Sequence, residues 1–249
     1  MSWATRRQML YIAVALAIAL VVGGWTAYST FSTAPLCTDG KQNGGEAGVD
    51  CGGPCSKLCS SQARSPVVLW ARAFETSPGI YAVAAYVEND NTGAGAKNVP
   101  YAFRLFDANN LLIIEKDGVA DIPPQQITPI LESNINVGTR TVAHAFLEFS
   151  KSPVWNKISA GSLPSVRVSN IDLAADGTRL SGTVVNGGNN DIRNLTLIAV
   201  LFDANGTAQT ASKTIIDRIP RGVSQPIVFT WPASTPGIVR AEITPVPAL

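Results

Sequence analysis

The sequence has little of what most catalytic and metal sites are built from. Its 249 residues include one histidine and four cysteines. Charged residues make up 15% of the chain, against about 25% in a typical soluble domain, and the formal net charge is +1. This balance provides no basic surface for nucleic acid, so we expect no nucleic-acid partner. Hydrophobic residues make up 46%, which excludes a disordered chain.

The sequence also lacks the short motifs that mark common enzyme classes: a phosphate-binding loop, HExxH, and the glycine-rich dinucleotide fingerprint. The single histidine, His144, is predicted to be an exposed strand residue, because Arg240 takes its place in the second copy of an internal repeat. We therefore predict a protein that is not an enzyme and that has no catalytic residues, no cofactor and no metal site.

An apolar segment near the N-terminus predicts a membrane span. Arg6 and Arg7 precede a 17-residue apolar run at residues 9–25. Three more residues bring the run to the ~20 that a helix needs to cross ~30 Å of hydrocarbon. The paired arginines favour a cytoplasmic N-terminus. We predict a cytoplasmic segment at 1–8 and a transmembrane signal anchor at 9–28, with the bulk of this single-pass cell-membrane protein outside the cytoplasm.

A cleaved signal peptide is the alternative to an anchor. Ser32, Thr33 and Ala34 would supply a small-residue cleavage site. The apolar run is longer than the about 7–15 residues of a signal-peptide core, so the uncleaved anchor is favoured.

All the cysteines lie in a glycine-rich segment that is too short and too polar to form its own core. We assign residues 29–64 to this Cys-rich neck module. In an oxidising compartment such a module is stabilised by disulfides. The disulfide candidates are Cys37, Cys51, Cys55 and Cys59. Four cysteines allow three pairings, and the sequence does not choose among them.

Two metal sites are alternatives for this module. Four thiolates would suit zinc, but the cysteine spacing differs from the usual pair of CxxC knuckles. Oxygen atoms of Asp39, Asn43, Glu46 and Asp50 would suit calcium, although their spacing is not that of an EF-hand. The interpretation we favour is that these four residues belong to turns, since Asp-Gly and Asn-Gly are turn dipeptides.

The segment resembles a Cys-x-Asp-Gly-x-x-Asn-Gly-x-Glu…Val-Asp-Cys-Gly-Gly module that recurs in surface and secreted proteins. The matching residues are Cys37, Asp39, Gly40, Asn43, Gly44, Glu46, Val49, Asp50, Cys51, Gly52 and Gly53. This resemblance covers residues 37–59, implies an exported location and implies no activity.

The remaining chain contains an internal repeat. The sequence Leu-Phe-Asp-Ala-Asn occurs at 105–109 and again at 201–205, 96 positions later. Asn89 before the first copy has a counterpart in Asn186 before the second. A period near one hundred residues indicates a duplicated domain rather than a solenoid. Each Asp of the motif, at the end of a strand, is expected to cap its own turn.

Both copies have the pattern of β-sandwiches. Alternating apolar residues such as Val166 and Val168 predict half-buried strands, and Asp176–Gly177 predicts a hairpin turn. Residues 195–202 are nearly all apolar, which predicts a central strand covered on both faces. About seven short strands per copy, separated by turns, are typical of a sandwich.

The repeat is similar to the FxLYD-type family of bacterial extracytoplasmic Ig-like domains. The matching residues are Asn89 with Leu105, Phe106 and Asp107, and Asn186 with Leu201, Phe202, Asp203 and Gly206. Phe replaces the family's Tyr in both copies, and Asn110 stands where the first hairpin would have Gly. The family implies a sandwich at the cell surface or in the envelope and implies no catalysis.

The predicted fold class is all-β, with two Ig-like β-sandwich domains in tandem after one N-terminal transmembrane helix and the Cys-rich module. The predicted domains are a first sandwich at 65–150, a linker at 151–164 and a second sandwich at 165–249. Trp155 in the linker is expected to pack against one domain.

The predicted function is non-catalytic binding, adhesion or scaffolding at the envelope, with the membrane and an envelope or surface protein as partners. Exposed strand edges would accept such a partner. One alternative is an accessory subunit of a secretion, pilus or transport machine. Another is an envelope glycan hydrolase, which needs a cleft with two acids about 5–10 Å apart. The sequence leaves the oligomeric state open. Trp70, Trp155 and Trp231 could form a binding face, but we expect Trp70 and Trp231 in sandwich cores.

Overall fold

The computed structural model describes residues 3–31, 37–159 and 161–249. The chain forms two compact units, residues 1–55 and 56–249. The cleavage site considered at residues 32–34 lies outside the described residues.

The first unit begins with helix α1 (Trp3–Phe31). Its Trp3–Tyr28 segment has a mean hydropathy of 2.1, and none of its most apolar window is buried against protein. At 1.5 Å per residue, this 26-residue segment is longer than the ~30 Å hydrocarbon core of a bilayer. The helix is therefore compatible with a single-pass membrane anchor or with a signal peptide.

The first unit also contains a disulfide-bonded loop. Cys37 pairs with Cys55, with 5.6 Å between their Cα atoms. Cys51 is disulfide-bonded as well, and so is Cys59, which belongs to the second unit. The zinc alternative requires four thiolates and does not fit these oxidised sulfurs. Glu46, which is 8% exposed, organises the loop from within.

Thirteen strands and one short 3-10 helix lie in the described part of the second unit. The 3-10 helix is Ser60–Gln62. The strands are β1 (Val67–Ser77), β2 (Ile80–Asn89), β3 (Ala94–Phe106), β4 (Leu112–Ile122), β5 (Gln126–Asn136), β6 (His144–Phe149), β7 (Trp155–Lys157), β8 (Val166–Leu173), β9 (Arg179–Asn186), β10 (Ile192–Asp203), β11 (Ala208–Ile219), β12 (Ser224–Thr230) and β13 (Ile238–Val246).

These strands form two β-sandwiches with the same topology, which confirms the predicted all-β tandem fold. The first sandwich packs sheet β1-β2-β5 on sheet β4-β3-β6, and β7 pairs with β3. The second packs sheet β8-β9-β12 on sheet β11-β10-β13. The described residues give six repeat-equivalent strands per copy, fewer than the seven estimated. The segment 151–164 contains β7, and Trp155 on this strand is buried in the first core.

Strand register confirms the repeat residue by residue. Leu105 pairs with Ile114 in the first copy, and Leu201 pairs with Thr210, 96 positions on, in the second. The predicted central strand of the second copy, β10, lies between β11 and β13 and is buried on both faces.

The Asp residues of the repeated motif form the same turn twice. Asp107 Oδ1 accepts hydrogen bonds from the amides of Asn109 and Leu111 at 2.9 and 3.0 Å. Asp203 Oδ1 accepts equivalent bonds from the amides of Asn205 and Thr207, both at 2.9 Å. These bonds lower the pKa of Asp203 from its ordinary value, with the Thr207 amide as the largest cause. Both aspartates therefore cap their own turns, as expected from their position.

Asn110 and Gly206 occupy the same left-handed position in these two turns, with φ of 59° and 73°. Replacing Gly206 with alanine will lower the free energy of unfolding by about 1 kcal/mol, because a residue with a Cβ pays a conformational cost there. No described atom lies within 4 Å of the added Cβ, so crowding is not involved. Gly206→Asn should cost less than Gly206→Ala. Equal losses in denaturant titrations would contradict the backbone explanation.

The two sandwiches pack together through the outer faces of sheets β1-β2-β5 and β11-β10-β13. We call this contact the junction. Its buried residues come from both copies: Phe74, Ala82, Ala84, Tyr86, Leu131, Ile198, Val200, Phe202, Ala208 and Ala211. Across the junction, Tyr86 Oη donates to Glu242 Oε2 at 2.8 Å, and an Arg72 guanidinium nitrogen donates to the Ala208 carbonyl at 3.3 Å. The sandwiches are thus joined by an apolar contact with polar bonds around it.

Candidate functional site

The three tryptophans of the sandwiches do not form an exposed binding face. Trp155 and Trp231 are 5% and 7% exposed and lie in the first and second cores. Trp70 was expected in a sandwich core, and that expectation is wrong. A register shift between Val68 and Trp70 turns its ring to the outer face of the sheet. There it packs on Tyr86 at the junction, with 4.6 Å between ring centroids.

His144 lies at the start of β6 with an exposed side chain, opposite Phe106 of β3. The same outer face carries Arg104, which forms ion pairs with Glu115 and Glu148, both at 2.6 Å. This solvated, charged face is the environment expected for an ordinary surface histidine.

The oxygen-bearing residues of the Cys-rich module are hydrogen-bonded within their own loop. Asp39 Oδ1 accepts the Lys41 amide at 2.9 Å, and its Oδ2 accepts the Asn43 side-chain amide at 2.8 Å. These bonds, the Asn43 one foremost, lower the pKa of Asp39. Asp50 accepts the Gly40 amide. This geometry favours the turn interpretation of these residues.

Glu46 makes the same kind of local contact. Its Oε2 accepts the amides of Asn43 and Asp50 at 3.3 and 3.2 Å. The buried carboxylate therefore links the backbone at Asn43 to the backbone at Asp50, which explains why a glutamate stands at this position of the module.

A groove lies along the open edge of the first sandwich, beside the second sandwich. Strands β4 and β5 are edge strands of opposing sheets, and the space between them is flanked by β10, β11 and the C-terminal residues. Its volume is about 300 Å³, at the lower end of pockets that hold small ligands. The residues that carry the argument below are Asn98, Tyr101, Thr128, Glu132, Asn194 and Lys213.

A polar pair, with a buried tyrosine and a half-buried glutamate, forms the inner part of this groove. Tyr101 is 3% exposed, and its hydroxyl donates to Glu132 Oε1 at 2.8 Å. The Tyr101 ring passes directly over Gly118 on the neighbouring strand. A Cβ at Gly118 would lie 2.4 Å from the Tyr101 Cζ atom. Gly118 is therefore required for the tyrosine to reach the carboxylate.

The second sandwich shows that the fold does not need this pair. By strand register, Leu197 takes the place of Tyr101 and Phe229 takes the place of Glu132. Both equivalents are ordinary core residues of the second sandwich. A carboxylate and a hydroxyl at positions that accept leucine and phenylalanine cost stability unless they are compensated. Their presence in one copy only points to a role outside folding.

Thr128 adds an unsatisfied group to the same groove. Its side chain is 0% exposed, and among the described residues its Oγ1 has no hydrogen-bond partner. Buried hydroxyls nearly always have a partner, so an unpartnered one calls for an explanation. By register, Gln225 takes this position in the second sandwich.

Two repeat-equivalent asparagines with a left-handed backbone also line the groove. Asn98 and Asn194 have φ of 48° and 50°. The pairing of β3 with β4 shifts its register beside Asn98, whereas the pairing of β10 with β11 keeps its register past Asn194. The bulge at Asn98 redirects the neighbouring side chains, and such bulges are frequent beside binding sites.

The groove contains a second carboxylate, Asp121. Its Oδ1 accepts the Asn98 amide at 2.8 Å, and its Oδ2 accepts the Leu249 amide at 2.9 Å. Both Asp121 oxygens are thus used to fix backbone, and Glu132 remains the carboxylate that faces the Tyr101 hydroxyl. A glycan hydrolase would have to use Asp121 and Glu132 as its two acids, and both Asp121 oxygens already accept backbone amides.

Sequence reasoning missed the groove. The signal was available in the aligned copies, since Tyr101 and Leu197 share a position, as do Glu132 and Phe229. A core position that is apolar in one copy and polar in the other indicates a residue with a role other than core packing.

Raising the pH will destabilise the protein through Tyr101. Burial, followed by the Glu132 carboxylate, raises the pKa of this phenol above its ordinary value of 10.0. The folded state therefore holds the proton more tightly, and this stability is complete below pH 10.0 and lost progressively above it. Relative to Tyr101→Phe, the native protein should lose about 1 kcal/mol more between about pH 10 and 11. Denaturant midpoints at both pH values measure the difference, and parallel losses would contradict it.

Comparisons with known proteins give no family. No family model and no curated protein matches the chain. Among solved structures, the chain is similar to the N-terminal CBM22-1-CBM22-2 tandem domain of Xyn10C from Paenibacillus barcinonensis. The sequence identity is 8% over 74% of this chain and 91% of that chain, and the TM-score is 0.15. Similarity at this level transfers neither a fold nor a function.

Proposed function

We propose that this chain is a membrane-anchored, extracytoplasmic binding protein without catalytic activity. The observation that carries the proposal is the combination, in one chain, of an unburied apolar helix and a disulfide-bonded loop. Disulfides form and persist outside the reducing cytoplasm. The helix accounts for membrane attachment, and the paired Arg6 and Arg7 at its start favour an N-terminus inside the cell.

The joined sandwiches are the binding part of the protein. Because the junction is apolar and buried, the two domains act as one rigid body rather than as independently moving domains. A rigid pair holds the groove beside β5 in one geometry, which lowers the entropy cost of binding. We place envelope scaffolding or adhesion above a role as an accessory subunit of a transport machine, on the FxLYD-type resemblance of both copies.

Protease added to intact cells or spheroplasts tests the proposal. The sandwiches should be digested from outside, while a cytoplasmic marker protein stays intact. Alkylation without prior reduction should leave Cys37 and Cys55 unmodified, and the double variant Cys37→Ser/Cys55→Ser serves as the control for labelling. Full protection of the sandwiches in both preparations, or free thiols in the cellular protein, would overturn the proposal.

A further inference from the structure

The groove beside β5 has the chemistry of a site for a neutral ligand with several hydroxyl groups. We propose that it binds a sugar unit, with Thr128, Glu132 and the two left-handed asparagines, Asn98 and Asn194, as its polar contacts. This inference rests on the proposed function, since it names the ligand class of the binding part.

The first argument is hydrogen-bonding capacity. The Thr128 hydroxyl can donate and accept, and among the described residues it has no partner. Glu132 uses Oε1 for the Tyr101 hydroxyl and faces the groove as an acceptor. The side-chain amides of Asn98 and Asn194 offer both donors and acceptors at the rim. A sugar hydroxyl both donates and accepts, so it matches this mixed set better than a ligand with one kind of group.

The second argument is charge. Two carboxylates, Asp121 and Glu132, line the groove and disfavour an anion such as a phosphate. The Lys213 ammonium lies at the rim, where it bonds the Leu131 carbonyl at 3.4 Å, and it disfavours a cation. A neutral ligand meets neither repulsion, and the ammonium is a further donor to its oxygens.

The third argument is the shape and polarity of the walls. Val119 and Ile215 occupy equivalent positions on β4 and β11 and are 64% and 58% exposed. Apolar walls beside a polar floor suit a ring that carries hydroxyls at its edge and C–H groups on its faces. The volume of about 300 Å³ accommodates a short sugar segment rather than a folded partner.

Thr128→Val is the decisive variant because it removes the unpartnered hydroxyl and keeps the shape of the side chain. Stability should be unchanged or slightly higher, since no protein hydrogen bond is lost. Sugar affinity should fall about tenfold, the effect expected for one buried hydrogen bond. Glu132→Gln is the second variant, and it should weaken binding while retaining an acceptor for Tyr101. Thr183→Val, on the half-exposed outer face of β9, is the matched control.

The measurement uses the full chain in a detergent without a sugar headgroup. Saturation-transfer NMR and calorimetry are run with glucose, galactose and N-acetylglucosamine, and with tetrasaccharides of each. Binding of monosaccharides alone identifies a free sugar as the source, and stronger binding of tetrasaccharides identifies a glycan chain. Glycine and dialanine test a zwitterionic ligand instead.

We expect at least one sugar to bind, with an unchanged affinity in Thr183→Val. If no sugar shows saturation transfer at a sugar concentration of about 100 mM, the inference is overturned, because binding with a Kd above the millimolar range would still be detected. Binding of the zwitterions in place of sugars, or sugar binding that survives both groove variants, would overturn it too. A protein that is accessible from outside cells but binds no sugar fails this inference alone, while protection from external protease defeats the proposed function whatever it binds.

Discussion

Replacing Ala84 with arginine will lower the free energy of unfolding by about 3–5 kcal/mol, because it forces a large unpaired charge into a close-packed contact. Ala84 is 0% exposed and is one of the buried residues of the junction. Its cross-strand neighbours are Arg72, which would repel the introduced positive charge, and Leu131, which is apolar. The introduced guanidinium group reaches solvent only if the sandwiches separate.

The second copy supplies a matched control for this variant. Ser181 takes the place of Ala84 in the repeat, and it is half-exposed on the outer face of β9. Ser181→Arg should change stability by no more than about 0.5 kcal/mol. Denaturant titration measures both variants, and small-angle scattering reports whether the sandwiches separate in Ala84→Arg. Similar losses in the two variants would mean that the junction does not exist in solution.

Replacing Asn186 with alanine will lower the free energy of unfolding by about 2–4 kcal/mol. The Asn186 side chain is 0% exposed and donates to the carbonyls of Asn190 and Ile219 at 2.8 and 3.0 Å. Its Oδ1 accepts the Gly188 amide at 3.0 Å. Alanine leaves these backbone groups without partners in a buried turn, and each such group costs about 1–3 kcal/mol before relaxation.

Asn190→Ala is the control, because the Asn190 side chain is exposed and its backbone carbonyl remains available. It should cost no more than about 0.5 kcal/mol. The equivalent variant Asn89→Ala should behave like Asn186→Ala, since Asn89 donates to the carbonyls of Ala94 and Pro123 in the first copy. Thermal unfolding of all three variants decides the matter, and a loss for Asn190→Ala as large as that for Asn186→Ala would show that the side-chain bonds are not responsible.

The sandwiches were predictable from the sequence because their signals are local. Alternation of apolar residues, the turn at Asp176–Gly177 and the repeated motif depend on neighbours in the chain. The continuous apolar run in β10 even indicated that both of its faces are covered. What covers the second face could not be predicted, because it is a sheet from the other copy, distant in sequence.

A comparison of the two copies would have located the junction. In the first copy, Ala82, Ala84 and Tyr86 give β2 a second apolar face, whereas β9 has Ser181 and Thr183 at the equivalent places. The groove is harder to predict, since it depends on how the edge of one sandwich meets the side of the other. Its polar pair was visible in the sequence, but the space around it was not.

The two copies have the same fold, but the junction uses a different sheet from each: β1-β2-β5 of the first copy and β11-β10-β13 of the second. The contact is therefore head-to-tail. A third copy, or a second molecule, would need to present the missing face, as in the growth of a fibre. The chain closes both ends to such growth. At the first end, Arg104 with its acidic partners stands where the second copy has Val200. At the other end, β9 has the half-exposed Ser181 in place of Ala84 and the half-exposed Thr183 in place of Tyr86. Replacing these polar groups with apolar residues would expose adhesive surfaces at both ends and favour head-to-tail association of the chain.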